Sequence, residues 1–143
     1  MKKDQTQLRE ILEEHARNPY GLGEIDKASF TGEWRSSKTG NLCRVQIKAE
    51  RNQLVQMVAH VDGSALAKAC ASIMCSELEG ETIQQAQSIH QELDRWVKQG
   101  IDPELWKGDL EVYKSLVKFP ERMDCAMLCW RSLQVTILAQ GKI

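Results

Sequence analysis

The sequence predicts an α+β fold: a small three-stranded antiparallel sheet covered on one face by helices, with an N-terminal helix and a long C-terminal helix. Two observations predict it. Apolar and polar residues alternate with a period of two in three consecutive segments between positions 28 and 61, and helical periodicity fills the rest of the chain. The breaks between the alternating segments are short enough for hairpins, so the strands form a meander with one face on a core and one on water. A chain of 143 residues buries one sizeable core, and the expected organisation is a single domain, 1–143.

The first helix is predicted from Leu8, Ile11, Leu12 and His15, which share one helical face, and it is stopped by Asn18-Pro19, Gly21 and Gly23. In the strands, Ala28, Phe30, Gly32 and Trp34 form the inward set of the first, Cys43, Val45, Ile47 and Ala49 that of the second, and Val55, Met57, Ala59 and Val61 that of the third. The turns fall at 36–41 and 50–53. Asp62-Gly63-Ser64 offers an N-cap to a helix over 65–79, with Leu66, Ala69, Cys70, Ile73 and Met74 inward and Gly80 at its end. Thr82 caps the next helix, whose inward residues are Ile83, Ala86, Ile89, His90, Leu93, Trp96 and Val97, up to Gly100. Asp102-Pro103 starts a short helical turn. Gly108-Asp109 opens a short helix carrying Leu110, Tyr113, Leu116 and Val117. Pro120 opens the last helix, expected to run to about Gln140, with Met123, Ala126, Met127, Trp130, Leu133 and Ile137 as its stripe.

Composition excludes several classes. Lysine plus arginine number 19 and aspartate plus glutamate 20, a net charge of -1, which argues against a nucleic-acid partner. The apolar runs Leu54–Val61 and Ser132–Gly141 are far short of a membrane span, and no apolar segment follows Lys2-Lys3, so no membrane partner and a cytoplasmic location are expected. Five cysteines without a CxxC pair suit free thiols rather than a disulfide framework.

Among these thiols, Cys43 and Cys70 fall on apolar faces and read as buried hydrophobes, whereas Cys75 falls on the polar side of its helix. Cys125 and Cys129 lie one turn apart, a possible two-ligand pair, although burial habits favour a structural role. His15 and His90 on apolar faces read as hydrogen-bonded core or boundary residues, and His60 points to the polar side of its strand. No HExxH, glycine-rich phosphate loop, GxSxG or kinase pattern occurs, so no residue set supports a hydrolase or transferase.

Three stretches carry a family resemblance. They are Gly108-Asp109-Leu110-Glu111, then Lys118-Phe119-Pro120-Glu121-Arg122, then Cys125-Ala126-Met127-Leu128-Cys129-Trp130-Arg131-Ser132-Leu133. Together they resemble the C-terminal signature of the U-type iron–sulfur cluster assembly scaffolds (SufU, IscU and the NifU N-terminal domain), the SufU branch most of all. His15, Asn18, Pro19 and Gly23 resemble that family's H-x-x-N-P opening, and Ala71-Ser72-Ile73-Met74 its A-S-x-M helix. The length between Gly80 and Gly108 is similar to that of SufU.

The resemblance implies three places for working residues. The family's Cys-Gly-Asp before the second strand corresponds to Thr39-Gly40-Asn41, and its Gly-Cys-Ser at a helix start to Gly63-Ser64-Ala65. Its last-helix cysteine corresponds to Cys125, preceded by Asp124 where the family usually has lysine or histidine. Thr39, Asn41 and Ser64 are neutral oxygen groups that do not replace thiolate around zinc or iron, so no metal or cluster is expected in the monomer. Zinc or a 2Fe–2S cluster would mean that this ligand assignment is wrong.

Cys125 is then a candidate sulfur acceptor, working with a single thiol as the related SufE proteins do. The start of its helix favours thiolate and Arg122 is a candidate thiolate or partner contact, while Asp124 opposes it. The implied partner is a cysteine desulfurase (SufS-like) or another assembly protein. A scaffold or acceptor, not an enzyme, is the first reading. A non-catalytic paralogue that binds the desulfurase as regulator or adaptor is the second, and small-molecule binding on a reused fold the third.

Overall fold

The computed structural model describes residues 3–116 and 119–138. Its elements are α1 (Gln5–Arg17), β1 (Phe30–Arg35), β2 (Leu42–Glu50), β3 (Gln53–Asp62), α2 (Ala65–Leu78), α3 (Ile83–Gln99), a 3-10 helix (Gly108–Leu116) and α4 (Pro120–Leu138). The strands pair antiparallel in the order β1-β2-β3. The predicted α+β architecture is the one observed. Helices α2 and α4 pack on the sheet and on each other, and α1 and the 3-10 helix pack against α2.

Local chemistry accounts for the helix boundaries. Asp4 with Gln7, and Thr82 with Gln85, form reciprocal capping boxes at the starts of α1 and α3. Ser64 caps α2 by accepting the N–H of Ala67. Gly100 ends α3 in the left-handed conformation.

The core lies between the sheet and α2 and α4. Cys43, Val45 and Ile47 of β2 are fully buried beside Ile73 and Met74 of α2 and Trp130 of α4. The closest approach is at Gly32 of β1. A Cβ built there would stand 2.5 Å from Thr136 Oγ1 and 2.8 Å from Thr136 Cα, so α4 rests directly on strand backbone. The buried hydroxyl of Ser132 donates to the carbonyl of Cys43 at 2.8 Å on the same helix–sheet boundary.

Several expectations are corrected. Leu54, not Val55, is buried in β3, and Val55 is exposed. The register shifts between Lys48 and Ala49, so that Gln56 faces Lys48 while Leu54 faces Ala49 and Val55 becomes the extra residue of a bulge. Trp34 is 40% exposed because β1 is an edge strand and the residue sits near its end. Cys75 is completely buried: α2 is the central helix, and the Gly21 loop lies against the Cys75 side chain.

The stretch after Gly100 forms no helix at Asp102-Pro103, and Gly108–Leu116 winds as 3-10 rather than α. Ile11, Leu12 and His15 of α1 are only half-buried, because α1 lies on the outside of α2. Val117, Lys118 and the expected last turn of the C-terminal helix at 139–140 lie outside the described residues. Among the described residues no helix is long and apolar enough to cross a membrane.

Candidate functional site

The turn between β1 and β2 builds one wall of the site. Ser36 leaves β1 and its nearly buried hydroxyl accepts the N–H groups of Lys38 (3.1 Å) and Thr39 (3.2 Å), the hydrogen-bonding habit of serine in turns. Asn41 closes the turn: its carbonyl accepts Ser36 N–H at 2.8 Å, and its own N–H donates to Thr39 Oγ1 at 3.2 Å. The Arg35 guanidinium donates to the carbonyl of Gly40 at 2.7 Å. The turn is therefore closed by its own hydrogen bonds.

Two contacts tie this turn to α4. The Ser36 hydroxyl donates to Asp124 Oδ2 at 2.6 Å, and Thr39 donates to the same oxygen at 3.5 Å. The Asn41 carboxamide N–H donates to Cys125 Sγ at 3.6 Å. A third contact comes from the turn into α2: a Cβ on Gly63 would fall 2.6 Å from Asn41 Cγ and Oδ1, so only a glycine lets this turn lie against the Asn41 carboxamide. Ser64, the next residue, spends its hydroxyl on the Ala67 N–H at 3.1 Å.

The structure thus brings Thr39, Asn41 and Cys125 together, with Ser64 beside Gly63 at the same end of the sheet. Arg122 is oriented otherwise. Its guanidinium stacks over the Phe119 ring at 4.5 Å, and among the described residues no ion pair links it to Asp124. The Asp124 carboxylate is tied to the turn by the hydroxyls of Ser36 and Thr39. Cys125 is the sixth residue of α4, one turn beyond the position where the helix dipole acts most strongly.

Cys125 is the one cysteine of the five that is not buried. Burial pushes the thiols of Cys43 and Cys70 up to about 12, and pushes those of Cys75 and Cys129 well above their ordinary range. Cys129 directs its sulfur at the carbonyl of Ala126 at 3.8 Å, so it does not join Cys125 as a ligand pair. Among the described residues no three histidine, cysteine, aspartate or glutamate side chains converge as a metal-binding set. Around Cys125 stand a carboxylate occupied by hydroxyls and neutral oxygen and amide groups. A tetrahedral zinc site draws on several thiolate, imidazole or carboxylate ligands, and this donor set does not match one.

A second constellation was not foreseen as a unit. His15 Nε2 meets Asp109 Oδ2 at 2.8 Å, and His15 Nδ1 meets Ser72 Oγ at 2.7 Å. Ser72 Oγ also accepts the Tyr20 N–H at 2.7 Å. His15, Ser72 and Asp109 belong to three different motifs and Tyr20 to none, and nothing in their spacing tells that they converge. Ser36 was also missed; a serine opening a Thr-Gly-Asn turn is the signal that would have found it.

The fold defines a class, the U-type scaffold. The model of the NifU-like N terminal domain matches residues 7–141, and the chain belongs to that family. It is 25% identical over 130 residues to the zinc-dependent sulfurtransferase SufU of Bacillus subtilis (strain 168), covering 90% of this chain and 88% of that protein. It is 20% identical over 128 residues to the iron–sulfur cluster assembly scaffold protein IscU of Streptococcus pyogenes serotype M1, covering 89% and 80%. Among solved structures, the N-terminal part of a nitrogen-fixing NifU-like protein from Brucella abortus superposes with a TM-score of 0.82 at 18% identity, covering 93% of this chain and 94% of that one.

Proposed function

We propose that this scaffold-family protein is a sulfur acceptor that receives sulfane sulfur on Cys125, without a resident zinc ion or cluster in the monomer. The observation that carries the reading is the difference between Cys125 and the other thiols. Cys125 alone is reachable, and it sits where the turn before β2, the turn before α2 and the start of α4 meet, while burial keeps the other four protonated. The relatives named as a zinc-dependent sulfurtransferase and a cluster scaffold point to sulfur and iron–sulfur chemistry. The donors around Cys125 are suited to one sulfur atom, not to a divalent cation.

The partner on this reading is a cysteine desulfurase of the SufS type or another cytoplasmic assembly protein that presents a cysteine persulfide. The protein accepts and holds sulfur; it does not turn over a substrate on its own. Exposed Phe119, with Arg122 stacked on it, is the contact we assign to the partner.

The test is the metal, acid-labile sulfide and persulfide content of protein purified without oxygen, for wild type and Cys125→Ser. The expected result is metal-free protein that carries sulfane sulfur on Cys125 after exposure to a desulfurase and cysteine, and none in the variant. Stoichiometric zinc or iron lost in Cys125→Ser would overturn the metal-free part. Metal-free protein that never takes up sulfur would leave the partner-binding paralogue.

A further inference from the structure

Asn41 is held on every side. Its backbone closes the turn through Ser36 N–H and Thr39 Oγ1, its Oδ1 side lies against Gly63, and its Nδ2 is left to donate to Cys125 Sγ. An amide N–H aimed at sulfur favours the anionic form of that sulfur, since hydrogen bonds to charged groups are the strong ones. A carboxylate in the same place would oppose it. Asp124, the carboxylate on the residue before Cys125, is held by the hydroxyls of Ser36 and Thr39.

We propose that Asn41 is the sulfur-positioning residue of this protein: its carboxamide holds the Cys125 sulfur in line for attack and then hydrogen-bonds the same sulfur in the persulfide. This rests on the acceptor reading above. In the step, the Cys125 thiol first loses its proton to water. The thiolate attacks the terminal sulfur of a donor persulfide, R–S–S–H, and a new sulfur–sulfur bond forms on Cys125. The donor's sulfur–sulfur bond breaks, its electron pair leaves on R–S⁻, and the proton stays on the transferred sulfur. No external oxidant or reductant is needed. Asn41 contributes by stabilising the attacking sulfur and fixing its direction, without exchanging a proton.

The experiment uses the full chain and glutathione persulfide as the probe. Wild type, Asn41→Asp, Asn41→Ala and Cys125→Ser are compared by the rate of sulfur loading at Cys125, by the rate of iodoacetamide alkylation of Cys125, and by the pH profile of that alkylation. Asn41→Asp is the decisive variant, because it keeps the shape against Gly63 while replacing the donor with an acceptor. Loading and alkylation are expected to fall about tenfold or more, the effect of losing one hydrogen bond to a charged group, with the alkylation profile displaced relative to wild type. Asn41→Ala, which removes the donor without adding charge, is expected to fall less.

Wild-type rates and an unmoved pH profile in Asn41→Asp would overturn the assignment while leaving Cys125 an acceptor. Failure of wild-type Cys125 to load, with alkylation still dependent on Asn41, would overturn the acceptor reading and leave the Asn41–sulfur hydrogen bond standing.

Discussion

His15 and Asp109, 94 positions apart, share a hydrogen bond of 2.8 Å between the imidazole Nε2 and a carboxylate oxygen. The other ring nitrogen reaches Ser72, so one imidazole joins α1, α2 and the 3-10 helix. In the neutral ring, Nε2–H donates to Asp109, Nδ1 accepts the Ser72 hydroxyl, and Ser72 Oγ accepts the Tyr20 N–H, leaving each group satisfied. Ser72 is 2% exposed, so removing its partner strands a buried hydroxyl. His15→Ala is expected to destabilise the fold by about 2–3 kcal/mol in urea denaturation. A double-mutant cycle with Asp109→Ala should give a coupling of about 1 kcal/mol. Additive losses would show that the contact does not link the elements energetically.

Gly32→Ala tests the seat of α4 on β1. The new Cβ would meet backbone atoms of Thr136, Cα at 2.8 Å and N at 2.9 Å, which cannot rotate aside as a side-chain tip can. Overpacking of this kind costs about 1–3 kcal/mol, and the rigid neighbour puts Gly32→Ala at the upper end. Gly32, unlike Gly23, does not sit at a positive φ, so an added Cβ there brings the clash with Thr136 without backbone strain. A loss of less than about 1 kcal/mol for Gly32→Ala in urea denaturation would mean that α4 gives way at Thr136 and that the close contact does not set the cost.

Most of the architecture was legible in periodicity. The three alternating segments and the helical remainder predicted the sheet, its meander and the helical layer, because pattern reports which face is buried. Two errors have one cause: pattern reads an element alone, and its neighbours decide the rest. Cys75 reads as polar-sided until the Gly21 loop covers it, and Val55 reads as inward until the bulge at Lys48 and Ala49 shifts the register. In the site, the motifs named Thr39, Asn41, Ser64 and Cys125 but not their hydrogen bonds. That Asp124 is held by Ser36 depends on how the turn folds back on α4, across 88 positions.

The buried thiols make an alkaline prediction. Burial raises Cys43 and Cys70 from the ordinary 9.0 to about 12. The folded state therefore binds these protons more tightly than the unfolded chain does. Their contribution to stability is fully present below pH 9.0 and is lost as pH rises toward about 12. Each such thiol adds a downward slope of roughly 1.4 kcal/mol per pH unit in that window. Urea denaturation between neutral pH and pH ~10.5, comparing wild type with Cys43→Ala, isolates the term from titration of lysines and tyrosines. Parallel curves for the two proteins would refute it.

Ser36→Ala tests the link between the turn and α4. The substitution removes the donor that meets Asp124 at 2.6 Å and the acceptor for the N–H groups of Lys38 and Thr39. Stability should fall by about 1–3 kcal/mol, since Ser36 is 4% exposed and its partners are left unsatisfied. The second consequence is chemical. Without its principal donor, the Asp124 carboxylate is no longer tied to the turn and can swing toward the neighbouring Cys125 sulfur, where its negative charge disfavours thiolate. Alkylation of Cys125 at neutral pH should therefore slow in Ser36→Ala, and the additional change Asp124→Asn should restore it. Slowing that persists in the double variant would assign the effect to a displaced turn; full restoration would assign it to the charge that Ser36 holds in place.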